Sequence, residues 1–275
     1  VADFAILPSG ENVEARLARV RAFQDAKVPS HYPLVIKPDI GERGRGVQIV
    51  RDDDSLSAAL AGADSGDWIV QRYVEGSEYG VFYQRRPGEP RGQITSITEK
   101  VYTSVIGDGV RDLQDLILRD NRAVCYADIL LRAHSARLFE VPGKGEEVRI
   151  VEIGTHARGS LFLDGRHLLT SELERAIDHF ASRISGFHLG RFDLKVPSAD
   201  ALRKGERLEV IELNLLTSEP SHIYDPRHSL FHAWASLMAQ WKVAFETGDH
   251  YRKQGCRSMS LAKLAGIVWK RIAEN

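Results

Sequence analysis

Lys37 stands at the entrance of a segment carrying Gly41, Gly44 and Gly46, with Arg43 and Arg45 between them. Glycines let a backbone turn through positive φ and bring its N–H groups close to a ligand. A lysine adds a point charge, and arginines add forks that match phosphate oxygens. The segment therefore has the chemistry of a phosphate-holding loop. It reads equally as a basic β-hairpin with a glycine bulge. It has neither the Gly-Lys-Ser/Thr ending of a P-loop nor the Gly-x-Gly-x-x-Gly of a dinucleotide-binding turn.

A second group comprises Arg191, Asp193 and Lys195, alternating along one run, and Glu212 and Asn214, two apart on another. On paired strands the period of two places Asp193, Glu212 and Asn214 on one side and directs Ile211 and Leu213 to the core. Two carboxylates and an amide oxygen are hard donors suited to magnesium when phosphates supply the other ligands. A surface polar face neutralised by Arg191 and Lys195 is the other reading. Glu78 heads a further run in which Tyr79, Val81 and Tyr83 face the opposite way, so its carboxylate must meet a base or a ligand hydroxyl. The acidic run at 52–54 reads as a solvated turn, because adjacent carboxylates do not converge by themselves.

The elements that must position these groups follow from the hydrophobic pattern. Apolar β-branched runs at 34–36 and 47–50 flank the glycine segment as strands. A helix is expected through about residue 26, with Val13, Leu17, Val20 and Phe23 on one face, and a shorter one capped by Ser55 and carrying Leu56, Ala59 and Leu60. Strands are expected at 67–74, 78–84 and 93–102, the last holding Lys100, then a turn at 106–110 into a helix at 112–120 and a short helix near 127–133. A strand at 148–153 leads to a second glycine and arginine loop with His156 and Arg158. Ser171 and Glu174 form a capping box for a helix, and the 190–196 strand pairs with 207–213. Leu230, Phe231, Trp234, Leu237, Met238 and Trp241 recur at helical spacing, a stripe expected to be core or the interface of a homodimer; 259–272 repeats the pattern more weakly.

Composition bounds the reading. The chain has 275 residues, a formal net charge of -1 and 27% charged residues, as expected for a globular protein of one large or two modest domains. Balanced charge gives no global case for nucleic acid or an anionic membrane. No apolar run approaches a membrane span, and Cys125 and Cys256 have no metal-ligand spacing, so cytoplasm is the expected location.

Taken in order, these motifs resemble the ATP-grasp family of ATP-dependent ligases, in particular its D-alanine:D-alanine ligase and cyanophycin synthetase branches. The resemblance runs from about Tyr32 to Pro226. It rests on Lys37-Pro38 before the glycine loop, on Gln71-Arg72-Tyr73-Val74-Glu75-Gly76-Ser77-Glu78, and on Arg191-x-Asp193 followed by Glu212-x-Asn214. The fold it implies is α+β, with two α+β subdomains binding nucleotide between antiparallel sheets. A small subdomain would occupy 1–75 and a large one 76–275, with an upstream substrate domain missing.

By the same resemblance Lys37, Gly44, Arg45 and Gly46 would hold the ATP phosphates, while Gln71, Tyr73 and Val74 would face adenine and Glu78 the ribose. Asp193, Glu212 and Asn214 would hold one or two magnesium or manganese ions. Arg191 would act on the transferring phosphoryl group, Lys100 would lie over the triphosphate, and Arg158 would face phosphate or substrate. The implied reaction activates a small-molecule carboxylate as an acyl phosphate, releases ADP and lets an amine attack. A phosphotransferase acting on a hydroxyl and a non-catalytic nucleotide-binding module are the alternatives. The chain departs from the family in starting after the usual first nucleotide-binding lysine and in carrying Gln71 where many members have glutamate. It also has Leu215-Leu216-Thr217 where D-alanine:D-alanine ligases have a proline-glycine turn, which argues against D-alanine as substrate.

Overall fold

The computed structural model describes residues 1–41, 44–63 and 66–273; Arg43 of the glycine loop lies outside the described residues. The strands are β1 (Phe4–Leu7), β2 (Leu34–Pro38), β3 (Gln48–Val50), β4 (Trp68–Arg72), β5 (Ser77–Gln84), β6 (Gln93–Val101), β7 (Ser104–Ile106), β8 (Glu147–Arg149), β9 (Leu161–Asp164), β10 (Leu189–Val196) and β11 (Glu209–Asn214). The helices are α1 (Val13–Lys27), α2 (Asp53–Ala61), α3 (Leu113–Arg119), α4 (Ala127–Ala133), α5 (Ser171–Ser182), α6 (Ala199–Lys204), α7 (Leu230–Lys253) and α8 (Leu261–Ala273). Short 3-10 turns join several of them, two of which, His156–Arg158 and Ser221–Tyr224, matter below.

The α+β class expected from the sequence is what the structure has. A four-stranded sheet of order β1-β4-β2-β3 and a five-stranded sheet of order β11-β10-β5-β6-β9 are both antiparallel, and β7 and β8 form a small ribbon. Each sheet has its own core. Leu7, Val20, Leu34, Ile36, Leu56 and Val70 pack between the first sheet and helices α1 and α2. Tyr79, Val81, Tyr83, Phe192, Leu194 and Val196 line one face of the second sheet and pack against Leu173, Ile177 and Ala181 of α5. With alternate residues of β5 and β10 committed to that core, the residues between them must occupy the opposite face.

Two helix starts differ from expectation by a residue or more. Asp52, not Ser55, caps α2, accepting from the Ser55 N–H while the Ser55 side chain reaches back to the Asp52 N–H. Thr170, not Ser171, caps α5, and Glu174 accepts from the Ile94 N–H on β6 instead of closing a capping box. Asp, Ser and Thr are nearly equivalent caps, so their order alone does not choose among neighbours. The strand expected at 148–153 is paired only over Glu147–Arg149; beyond it Ile150 and Val151 both donate to the Thr103 carbonyl.

Candidate nucleotide and metal site

The face of the five-stranded sheet opposite the α5 core carries a cluster of polar side chains, with Phe82 of β5 and Phe162 of β9 buried among them. Register places Asp193 of β10 directly between Glu212 of β11 and Gly80 of β5, and Glu78 between Lys195 of β10 and Lys100 of β6. Arg191 stands opposite Asn214. Gly80 is what the crowding at the centre allows: a Cβ there would lie 3.1 Å from Arg191 Cδ and 3.3 Å from Asp193 Oδ1.

Charges on this face are paired in a chain. Lys100, itself 8% exposed, donates to Glu78 Oε1 at 2.6 Å and lies 3.2 Å from Asp193 Oδ2. Arg191 Nε donates to Asp193 Oδ1 at 2.8 Å, and Asn214 Nδ2 is 3.3 Å from Asp193 Oδ2. Burial works against the Asp193 charge, but Lys100 and Arg191 outweigh it and hold the carboxyl below the usual carboxylate range. Burial likewise opposes the Lys100 charge, and Asp193 and Glu78 more than restore it.

Tyr102 completes the network. It donates to Glu78 Oε2 at 2.6 Å and receives Lys195 Nζ at 2.8 Å. Burial, with the Glu78 charge behind it, pushes its phenol well up. Sequence reasoning missed Tyr102, although it stands two residues beyond Lys100 and so continues the same strand face. Lys195 is pulled down by burial, with Glu78 opposing that shift and Arg149 and Lys100 adding to it.

The first sheet reaches this face through Lys37 and Gln71. Lys37 Nζ donates to Gln71 Oε1 at 3.1 Å and to the Ile211 carbonyl at 3.3 Å; Gln71 Nε2 is 3.4 Å from the same oxygen. That carbonyl is free because β11 is bulged: Glu212 opposes Asp193 and Val210 opposes Leu194, leaving Ile211 as the extra residue. The expectation that Ile211 turns to the core is therefore corrected. Leu213 packs there as expected, and Val210 takes the place given to Ile211. Burial lowers the Lys37 pKa, with Glu212 and Asp193 pulling it back.

The glycine loop follows β2. Gly44 and Gly46 have φ of +70° and +75°, which an L side chain rarely adopts. A Cβ on Gly44 would lie 2.9 Å from Thr155 Cγ2, and one on Gly46 would lie 2.8 Å from Pro38 Cγ. The loop thus rests on Thr155 of the second glycine loop, and Arg45 beside it is exposed. In that second loop Gly154 lies against the Glu78 carboxylate, which a Cβ would strike. His156 stacks on Tyr224 at 5.1 Å, and burial lowers the pKa of both His156 and Arg158.

Tyr73 and Val74 lie in the linker between β4 and β5. Two clefts border it. One of about 640 Å³ is lined by Tyr73, Glu78, Lys100, Tyr102 and Arg149, and one of about 490 Å³ by Tyr73, Val74, Lys195 and Arg207. Arg149 stacks over the Tyr102 ring at 4.9 Å. Asp193, Glu212 and Asn214 line neither cleft. The structure thus brings Lys37, Gln71, Glu78, Lys100, Arg191, Asp193, Glu212 and Asn214 to one polar face, with the glycine loop and the Arg158 loop touching above it.

As a metal site, the donor set is two carboxylates in register with an amide beside them. Among the described residues no group of three or more His, Cys, Asp or Glu converges as a complete cage. Such a partial set suits magnesium, which binds through one or two carboxylates plus substrate phosphates and retains waters. Among the described residues, no helix is long and apolar enough to cross a membrane.

No protein-family model matches the chain. It is 36% identical to cyanophycin synthetase of Synechocystis sp. over 96 residues and 27% identical to that of Geminocystis herdmanii over 95 residues. Each match covers 33% of this chain and 10% of the relative, so the chain matches about a tenth of the length of these proteins. Among solved structures it is similar to D-alanine–D-alanine ligase from Bacillus anthracis, with a TM-score of 0.49, 16% identity, and coverage of 93% of this chain and 64% of the other. Bifunctional glutathione synthetase from Pasteurella multocida has a TM-score of 0.39 and 18% identity, over 82% of this chain and 31% of the other.

Proposed function

We propose that the chain is the nucleotide-binding and catalytic part of an ATP-grasp carboxylate–amine ligase that forms a C–N bond and releases ADP. The observation that carries the reading is the register of Asp193 against Glu212, with Asn214 beside them and Lys37 arriving from the other sheet. The local likeness to cyanophycin synthetase supports the same reading.

In this reading Asp193, Glu212 and Asn214 hold magnesium, which when bound offsets the charge on the transferring phosphoryl oxygens. Lys37 and the amides of the Gly44 to Gly46 loop hold the phosphates. Glu78 accepts the ribose hydroxyls, and the backbone of Tyr73 and Val74, with Gln71, faces adenine. Arg191 has its Nη1 on Ser221 Oγ at 2.7 Å and its Nε on Asp193, so its fork is fixed before any substrate arrives. Fixed donors aimed at developing charge cost no reorganisation during reaction, which is where phosphoryl transfer draws its stabilisation. Arg158, on the second glycine loop, faces phosphate or substrate in this reading. No side-chain nucleophile is needed.

The test is the melting temperature with and without magnesium and ATP, in the native chain and in Asp193→Asn with Glu212→Gln. At ATP about 100-fold above its Kd the native chain gains about 2.7 kcal/mol by mass action, and the double variant loses the magnesium-dependent part. No response in the native chain defeats the proposal. Hydroxylamine trapping then separates ligase from phosphotransferase, since only an acyl phosphate yields a hydroxamate; a chain that instead moves the γ-phosphoryl group to a hydroxyl, leaving a phosphate ester and ADP, is a kinase.

A further inference from the structure

Helix α7 is amphipathic in the wrong sense for a helix lying on a monomer. Its body-facing side is largely polar: Ser236 meets His222, Gln240 Nε2 donates to the Ser218 carbonyl at 2.6 Å, and the Tyr251 hydroxyl lies 2.6 Å from His188 Nε2, with Val243 buried among them. Its outward side is apolar. Phe231, Trp234, Met238, Trp241 and Phe245 are 77%, 52%, 73%, 41% and 73% exposed. Their spacing is three, four, three, four, which is the seam of a helix that packs lengthwise against another helix.

We infer that this seam is where a second copy of the chain docks, α7 against α7. The face offers both halves of a self-complementary contact, since exposed Ala235 and Ala239 beside the bulky side chains form the holes that a copy's aromatic knobs need. Helix α8 does not cover it, because the seam is exposed with α8 in place. A membrane surface is disfavoured by charge: from Phe231 to Phe245 the one lysine or arginine is Lys242, which lies 4.0 Å from Glu246, too little to meet lipid headgroups. The area suffices. With roughly 150–250 Å² per large aromatic side chain, the five residues and Leu230 present roughly 700 Å² per copy. Two copies then bury about 1,400 Å², above the roughly 1,000 Å² a specific interface needs.

Sedimentation velocity of the chain over a concentration series tests this. The expected result is a reversible dimer of twice the chain mass, and Met238→Glu at the centre of the seam shifts it to monomer with an unchanged far-ultraviolet circular dichroism spectrum. A native chain that stays monomeric up to about 100 μM, or a Met238→Glu dimer as tight as the native one, overturns the inference. Should that variant not fold, dilution of the native chain decides: tryptophan emission shifts to the red as Trp234 and Trp241 return to water, and a constant spectrum overturns the dimer. A monomer that floats with neutral phosphatidylcholine vesicles would assign the seam to lipid and overturn it as well.

Discussion

Lys100 joins the two buried carboxylates of the site. It lies between Glu78 at 2.6 Å and Asp193 at 3.2 Å, and all three side chains are almost wholly buried. Removing one partner of such a set leaves uncompensated buried charge, which costs far more than the pair contributes when intact. Lys100→Met should therefore destabilise the chain by about 3–5 kcal/mol, read by urea unfolding, whereas an exposed pair such as Arg51 with Glu152 is worth at most about 1 kcal/mol. Native-like stability in Lys100→Met would show that Glu78 and Asp193 do not depend on it. The same residues mark what a sequence discloses at this scale. Period-two alternation is enough to put Glu78, Arg191, Asp193 and Lys195 on one face. That Lys100 and Arg191 both turn to Asp193 depends on the neighbouring strand, β5, whose Gly80 leaves room between them.

At the scale of elements, the strands carrying apolar runs or alternation, β2 to β6, β10 and β11, were legible, while the short β7 and β9, the end of β8, the caps and the loops were not. Thr170 and Ser171 are adjacent and both able to cap α5, and only the packing of α5 on the sheet decides between them. The loop after β8 is set by contacts from elsewhere: Gly154 is required where the loop crosses the Glu78 carboxylate, which Lys100 and Tyr102 pin in place. Gly154→Ala should accordingly lower stability by about 1–3 kcal/mol, the usual cost of overpacking a filled site. Gly248→Ala is the control. It lies in α7, where a Cβ meets nothing within 4 Å, and should stabilise by up to about 1 kcal/mol. Equal melting of Gly154→Ala and the native chain would mean that the loop does not rest on Glu78.

For the whole molecule the buried carboxylate contributes to the response to acid. The Asp193 pKa is depressed in the folded chain, so the unfolded chain binds more protons over the interval between the depressed value and the ordinary one. The stabilisation is fully present above the ordinary carboxylate range and is lost as pH falls through it toward the folded value. Asp193→Asn, less stable at neutral pH, should converge on the native chain as pH drops below about 4; a gap that stays constant in acid would refute this. The joining of the two sheets was the least legible feature, because a bulge has no pattern of its own: Val210, Glu212 and Leu213 read as an ordinary strand with or without Ile211. Striking Ile211 out would leave core and site residues facing as they do now. What the inserted residue contributes is an oxygen of the main chain, received by Lys37 and Gln71. This contact, which stands beside the Arg72–Glu209 ion pair and the Ala2 N–H on the Val210 carbonyl, therefore takes no side chain from position 211 and depends on the number of residues in the strand.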